Sequence, residues 1–190
     1  MLDKNKGEKL LEIARKSIQY AFDKKGFDSL KTSDKDLNEK RGAFVTLYSG
    51  KGKSKELRGC IGFTASKLPL WQTVAEAARL ASFDDTRFIP LKKNELNQLL
   101  IEVSVLTIPQ LIRAKRAEDI VSEIKIGRDG LIVEHFGLSG LLLPQVAEEY
   151  EWNAEEFLEQ TCIKAGLPRF HWKEKGCKIS KFRSEIFSEK

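Results

Sequence analysis

The string LRGCIG at 57–62 sets a single cysteine, Cys60, between two glycines, Gly59 and Gly62. We read it as the end of a strand. Glycine there removes side-chain bulk and lets a backbone approach another backbone or a ligand. Arg58 stands two residues from Cys60, so strand periodicity puts both on one face. A guanidinium beside a thiol favours the thiolate, which would suit a nucleophile or a redox group. The plain alternative is a small buried hydrophobe, among the commonest fates of cysteine. The second string is DDTRF at 84–88. Asp84 or Asp85 with Arg87 forms either an ion pair that fixes a loop or an arginine fork offered to a carboxylate or phosphate. Which aspartate matters is open at this level. Glu102 lies on the polar side of an alternating strand and faces a cleft or water. The candidates for chemistry are thus Cys60, Arg58, Asp85 and Arg87. Gly59, Gly62 and Glu102 are the candidates for substrate contact.

Several other chemistries leave no trace. The sequence has no GxGxxG, HExxH or GxSxG, and no cofactor motif. SGKGKS at 49–54 lacks the spacing of a phosphate loop and the helix that should follow it. Cys60, Cys162 and Cys177 are far apart, as are His135 and His171, so neither a disulfide framework nor a metal site is indicated.

The elements that must position these residues follow from periodicity. Apolar residues at three- and four-residue steps predict a helix over 8–25, ended near Gly26. Residues 27–41 read as loop. Residues 42–48 form a strand, 49–54 a turn, and 57–61 the strand that returns. Pro69 opens an alanine-rich helix to about 83. Residues 101–107 alternate as a strand, and 117–123 read as a short helix. Residues 125–134 read as strand, tight turn, strand. A turn at 137–140 leads to a short strand at 141–143. Pro144 opens a helix over 145–150. Asn153 caps the next helix, with Glu156 at the reciprocal position, and Gly166 ends it. Residues 178–187 read as one last strand. Hairpins separated by helices predict an α+β fold with a mainly antiparallel sheet flanked by helices, and a larger and a smaller subdomain. Residues 110–140 are the best candidate for the smaller lobe of what otherwise reads as one domain over 1–190.

The chain has 190 residues, 41% hydrophobic and 32% charged, which suits a folded domain and argues against wholesale disorder. No apolar run nears the roughly 20 residues of a membrane helix, and the charged first residues lack a secretory stretch. The expectation is a cytoplasmic protein with no membrane association. The net charge of +5 is uneven. Residues 1–25 carry seven Lys/Arg against four Asp/Glu, and 169–190 carry seven against three.

Five blocks in order resemble the AMMECR domain family, labelled in prokaryotes the AmmeMemoRadiSam system protein A. They are LRGCIG at 57–62, DTRF at 85–88, EVSVL at 102–106, GLLLPQVAEEYEW at 140–152 and FLEQTCIKAGLP at 157–168. The resemblance runs from about residue 8 to 187. It implies an α+β fold with two subdomains, and genomic association with a Memo-like protein and a radical SAM protein. It carries no settled activity.

Three function classes follow. One is an enzyme or enzyme subunit with a small-molecule cleft around LRGCIG. A second is a non-catalytic adaptor or regulatory protein that docks a Memo-like partner, with Cys60 inert. The third, a nucleic-acid-binding regulator, rests only on the basic ends and comes last. Phosphate contacts from those ends would weaken steeply with salt. We expect weak, non-specific nucleic-acid binding at low ionic strength and none near physiological salt in a fluorescence-anisotropy titration. Tight, sequence-selective binding at physiological salt would reverse this order.

Overall fold

The computed structural model describes residues 2–50, 55–114 and 116–189. The chain divides into two compact units, 1–106 with 185–190 and Thr107–Ser184. The predicted lobe at 110–140 lies inside the second unit. Residues 51–54 of the expected turn lie outside the described residues.

In the first unit, alternation builds a sheet with one apolar face. Strand β1 (Ala43–Ser49) pairs antiparallel with β2 (Glu56–Phe63) on one side and β3 (Leu100–Leu106) on the other. Ala43, Val45 and Leu47 on β1, with Ile101, Val103 and Val105 on β3, point to the same side and are buried. Two helices cover that face. Helix α1 (Lys4–Phe22) supplies Leu10, Ala14 and Ile18. Helix α2 (Leu70–Phe83) supplies Leu70, Val74, Ala75 and Ala78. The alanines allow close approach, and the buried Ser17 hydroxyl on α1 donates to the Ala75 carbonyl at 2.6 Å. The strand order is β2-β1-β3-β8, with β8 (Ser184–Ser188) returning after the whole second unit.

The second unit has its own antiparallel sheet in the order β4-β7-β5-β6. Its strands are β4 (Gln110–Leu111), β5 (Gly130–His135), β6 (Leu138–Leu142) and β7 (Lys178–Phe182). Helices α3 (Ala117–Ser122), α4 (Pro144–Glu149) and α5 (Ala154–Lys164) accompany them. Its core gathers Leu131, Val133, Phe157, Leu158, Cys162, Trp172 and Ile179. Asn153 caps α5 as expected: its carbonyl oxygen accepts from Glu155 and Glu156, and the Glu156 carboxylate accepts from the Asn153 N–H. Two sheets with flanking helices make the fold α+β. Among the described residues, no helix is long and apolar enough to cross a membrane.

Two expectations need correction. Residues 125–134 are not a hairpin. The Asp129 carboxylate accepts from the Lys125 N–H at 3.0 Å, and the Asp129 N–H bonds back to the Lys125 carbonyl. That closed turn ends strand pairing before β5, and the hairpin turns instead at Phe136 and Gly137, both at positive φ. Nor are residues 178–187 one strand. The chain changes sheets at Arg183, whose N–H and carbonyl are both taken by Thr107.

The first unit is discontinuous, and Arg41 bridges the break. Its Nε donates to the carbonyl of Leu106, where the chain leaves the unit, at 3.0 Å. Its Nη2 donates to Glu185, where the chain returns, at 2.6 Å. The side chains are 8% and 11% exposed, and the Leu2 N–H donates to the second Glu185 oxygen. Removing one partner of a buried pair leaves an uncompensated charge. We expect Arg41→Met to destabilise the protein by about 3–5 kcal/mol in urea unfolding. Adding Glu185→Met should recover part of that loss. A single-mutant penalty below about 1 kcal/mol would show that the pair does not hold β8.

Candidate functional site

LRGCIG lies within β2 rather than at its end, and β2 is one of the two edge strands of its sheet. The peptide groups that such a strand turns outward need partners or water. At Cys60 those partners are side chains. The Cys60 N–H donates to Asp85 Oδ2 at 2.8 Å, and Arg87 Nη2 donates to the Cys60 carbonyl at 3.1 Å. Arg87 also forks onto Asp85, Nε to Oδ1 at 2.9 Å and Nη2 to Oδ2 at 2.8 Å. Asp85 is 6% exposed and further accepts the Arg87 backbone N–H. The Arg87 guanidinium, with the Cys60 and Arg87 backbone N–H groups, holds the Asp85 carboxyl well below the usual carboxylate range against the opposing effect of burial. The Arg87 guanidinium is raised in turn, chiefly by Asp85, with the Cys60 side chain among the smaller contributors.

The loop after α2 presents this pair and separates the two aspartates. Asp84 ends the helix, its N–H bonded to the Leu80 carbonyl, and its exposed carboxylate meets Arg79 at 3.3 Å. Asp85 alone turns inward. Gly59 makes the approach possible, since a Cβ there would stand 2.2 Å from the Ala81 carbonyl oxygen on α2. Gly62 is packed as tightly, and its Cβ would fall 2.4 Å from the Phe44 ring. Both glycines therefore admit parts of the protein itself.

Arg58 does not turn to the thiol. It is the extra residue of a β-bulge, where the pairing steps from Leu47↔Gly59 to Tyr48↔Leu57. Its Nε donates to Glu95 Oε1 at 2.9 Å, and its Nη2 meets Oε2 at 3.3 Å. Glu95 also accepts the Lys92 N–H, and its carboxyl is lowered mainly by Arg58. The cation joined to residue 60 is Arg87.

The Cys60 side chain points to the sheet face away from the helices, opposite the core face of its neighbours Gly59 and Ile61. It is half-buried, with Sγ 3.2 Å from the Thr46 hydroxyl. Thr46 pairs with Cys60 on one side and Glu102 on the other, so the three form a cross-strand row. Glu102 accepts from the Ser188 hydroxyl at 2.7 Å, and Lys55 stands 4.0 Å from it. At about 4.8 Å per strand step, Glu102 lies roughly 10 Å from Cys60 and is no base for the thiol. Sequence reasoning missed Thr46 and Glu95, because pairing register and bulge position fix their roles. Among the described residues, no three His, Cys, Asp or Glu side chains gather as a metal-ligand set. The other thiols are different in character. Cys162 is fully buried and pushed up to about 11 by burial, and burial raises Cys177 as well.

The lowered Asp85 carboxyl has a definite pH signature. Its contribution to stability is complete above the unfolded carboxyl value of about 4 and is lost progressively as pH falls below it. We expect Asp85→Asn to cost about 1.5–3 kcal/mol at neutral pH, the range for a hydrogen bond to a charged group. In urea unfolding, the gap from the unmodified protein should stay level from about pH 7 to 5 and narrow below about pH 4. A gap independent of pH would mean that the carboxylate charge is not what the clamp uses.

Related chains are similar in sequence, and one of known structure carries the same fold. Residues 11–187 match the AMMECR1 family. Protein LS215_2104 of Saccharolobus islandicus is 47% identical over 184 residues, 96% of this chain and 81% of its own length. Protein MJ0810 of Methanocaldococcus jannaschii is 47% identical over 153 residues, covering 80% of this chain and 75% of its own. The crystal structure of the uncharacterized protein PH0010 from Pyrococcus horikoshii superposes with a TM-score of 0.85 at 44% identity. That match covers 100% of this chain and 94% of PH0010. With its family match running almost end to end and its fold shared at this level of identity, the chain belongs to the AMMECR1 family.

Proposed function

We propose that this protein is an enzyme, or a subunit of one, that takes a small polar substrate on the outer face of β2 and β1, with Cys60 as its reacting thiol. One observation carries the reading. Three side chains converge on residue 60: Asp85 on its N–H, Arg87 on its carbonyl and Thr46 on its sulfur. A buried, inert cysteine such as Cys162 needs no such set of partners. Fixing both peptide groups fixes where Sγ stands, which is the part of nucleophilic catalysis that a fold supplies before substrate arrives. The Thr46 hydroxyl is placed to hydrogen-bond a thiolate, and Arg87 brings positive charge to the same residue. Glu102, two strands along the row, would contact the far end of a substrate rather than the sulfur.

A second reading has an observation in its favour. Arg58, Asp85, Arg87, Gly59 and Gly62 are all engaged within the protein. An adaptor that docks a Memo-like partner, or a radical SAM protein, would need that rigidity and nothing more from LRGCIG.

Thiol reactivity separates the two. Under native conditions we expect iodoacetamide to label Cys60 before Cys177 and Cys162, with sites read by peptide mass spectrometry. Arg87→Met should slow labelling of Cys60. Arg58→Met should leave the rate unchanged, because that guanidinium belongs to Glu95. If Cys60 stays unlabelled in the folded protein and Cys60→Ser preserves cellular function, the enzyme reading falls and the adaptor reading leads.

A further inference from the structure

We infer that the second unit carries a binding site for a phosphate group, as the free ion or a small monoester, in the cavity between the β7 end and the turn before β5. The cavity is about 420 Å³ and is lined by Thr107, Gln110, Arg128, Asp129, Lys181, Phe182 and Arg183. That volume lies within the ordinary range of small-ligand sites.

A buried carboxylate organises it. Asp129 is 1% exposed and sits between two arginines. Arg128 forks onto it, Nε to Oδ1 at 2.8 Å and Nη2 to Oδ2 at 2.5 Å. The Lys125 N–H holds Oδ2 from the turn itself. Burial opposes the charge on Asp129, yet these partners leave its carboxyl lowered, so it stays an anion that anchors Arg128. Two nitrogens of Arg128 are engaged in that fork, and among the described residues nothing accepts from Nη1. Arg183 is less committed. Its Nε stands 3.8 Å from Asp129 Oδ1, beyond hydrogen-bond reach, and the side chain is 56% exposed. Its backbone is fixed, however, by the two bonds to Thr107. Lys181 donates to the carboxylate and the carbonyl of Glu123 at the rim.

The charges settle the class of ligand. Three cations, Arg128, Lys181 and Arg183, face two carboxylates, Asp129 and Glu123. One positive charge is in excess, and among the described residues Arg128 Nη1, the Arg183 guanidinium and the third N–H of Lys181 make no hydrogen bond. Planar guanidinium groups suit the oxygens of a phosphate, and an arginine held by a buried acid presents its remaining N–H groups in a fixed direction.

Isothermal titration of the full chain with inorganic phosphate, and separately with glycerol 3-phosphate, tests the site. We expect saturable, one-to-one binding of at least one of them, weakened at least tenfold by Arg183→Met, which leaves the backbone bonds to Thr107 intact. Lys175→Met, elsewhere on the same unit, should change nothing. Should Arg183→Met fail to fold, Lys181→Met replaces it, with the same expected loss. No saturable binding up to about 10 mM, about tenfold above the Kd of a millimolar site, would overturn the inference. So would affinity that survives both substitutions. A short oligothymidylate that binds when neither phosphate nor the monoester does would also overturn it, and would point to a nucleic-acid backbone instead.

Discussion

One buried cation holds the first unit together as a unit. Sheet β2-β1-β3-β8 draws three strands from the first 106 residues and its fourth from beyond residue 183, so local sequence cannot bring β8 home. Arg41 does so by bonding the last carbonyl of β3 and the Glu185 carboxylate together. Arg15 repeats the device at the other end of β8. It forks onto Glu189 and donates to the carbonyls of Leu96 and Leu99, while Glu189 accepts the Ile101 N–H. Two arginines thus pin a five-residue strand whose Phe187 also packs against the core. The long insertion between β3 and β8 adds little entropic penalty for its length, since loop-closure entropy grows only logarithmically. It does require that the joint be specific, which ion pairs with fixed geometry provide.

The same logic, polar side chains closing what the backbone leaves open, recurs at the opposite edge of that sheet. Asp85 and Arg87 occupy the positions that a neighbouring strand's carbonyl and N–H would take at Cys60. This blocks edge-to-edge pairing at that point without a fifth strand. It also means that structural and chemical roles are not alternatives for this pair. A clamp that protects the edge necessarily fixes the residue it holds, and that residue carries the thiol.

Much of this was legible in the sequence because it is local. The strand at β1, the alternation of β3, the alanine face of α2 and the Asn153–Glu156 cap are set by residues within one turn or one strand of each other. The illegible parts depend on distant partners. Nothing near Arg58 announces that Glu95 will take its guanidinium, because that needs the bulge in β2 and the fold of residues 93–98. The single strand read at 178–187 breaks because Thr107, some 76 positions earlier, captures the backbone of Arg183. Gly127 and Gly130 flank what resembles a hairpin turn within 125–134. In the protein, Asp129 closes that turn on itself.

The broken first unit also bears on the order in which the chain is made. A ribosome releases residues from the amino end, and domains generally fold as they emerge. Here β1, β2 and β3 appear first, but β3 has no outer neighbour until residues 184–188 follow. For nearly 80 residues of elongation, the β3 edge stands open while the second unit, continuous in sequence, is free to finish on its own. The nascent chain should therefore complete its later-encoded half before its earlier one. During that interval β3, whose core-facing residues are Ile101, Val103 and Val105, is the segment most in need of a chaperone.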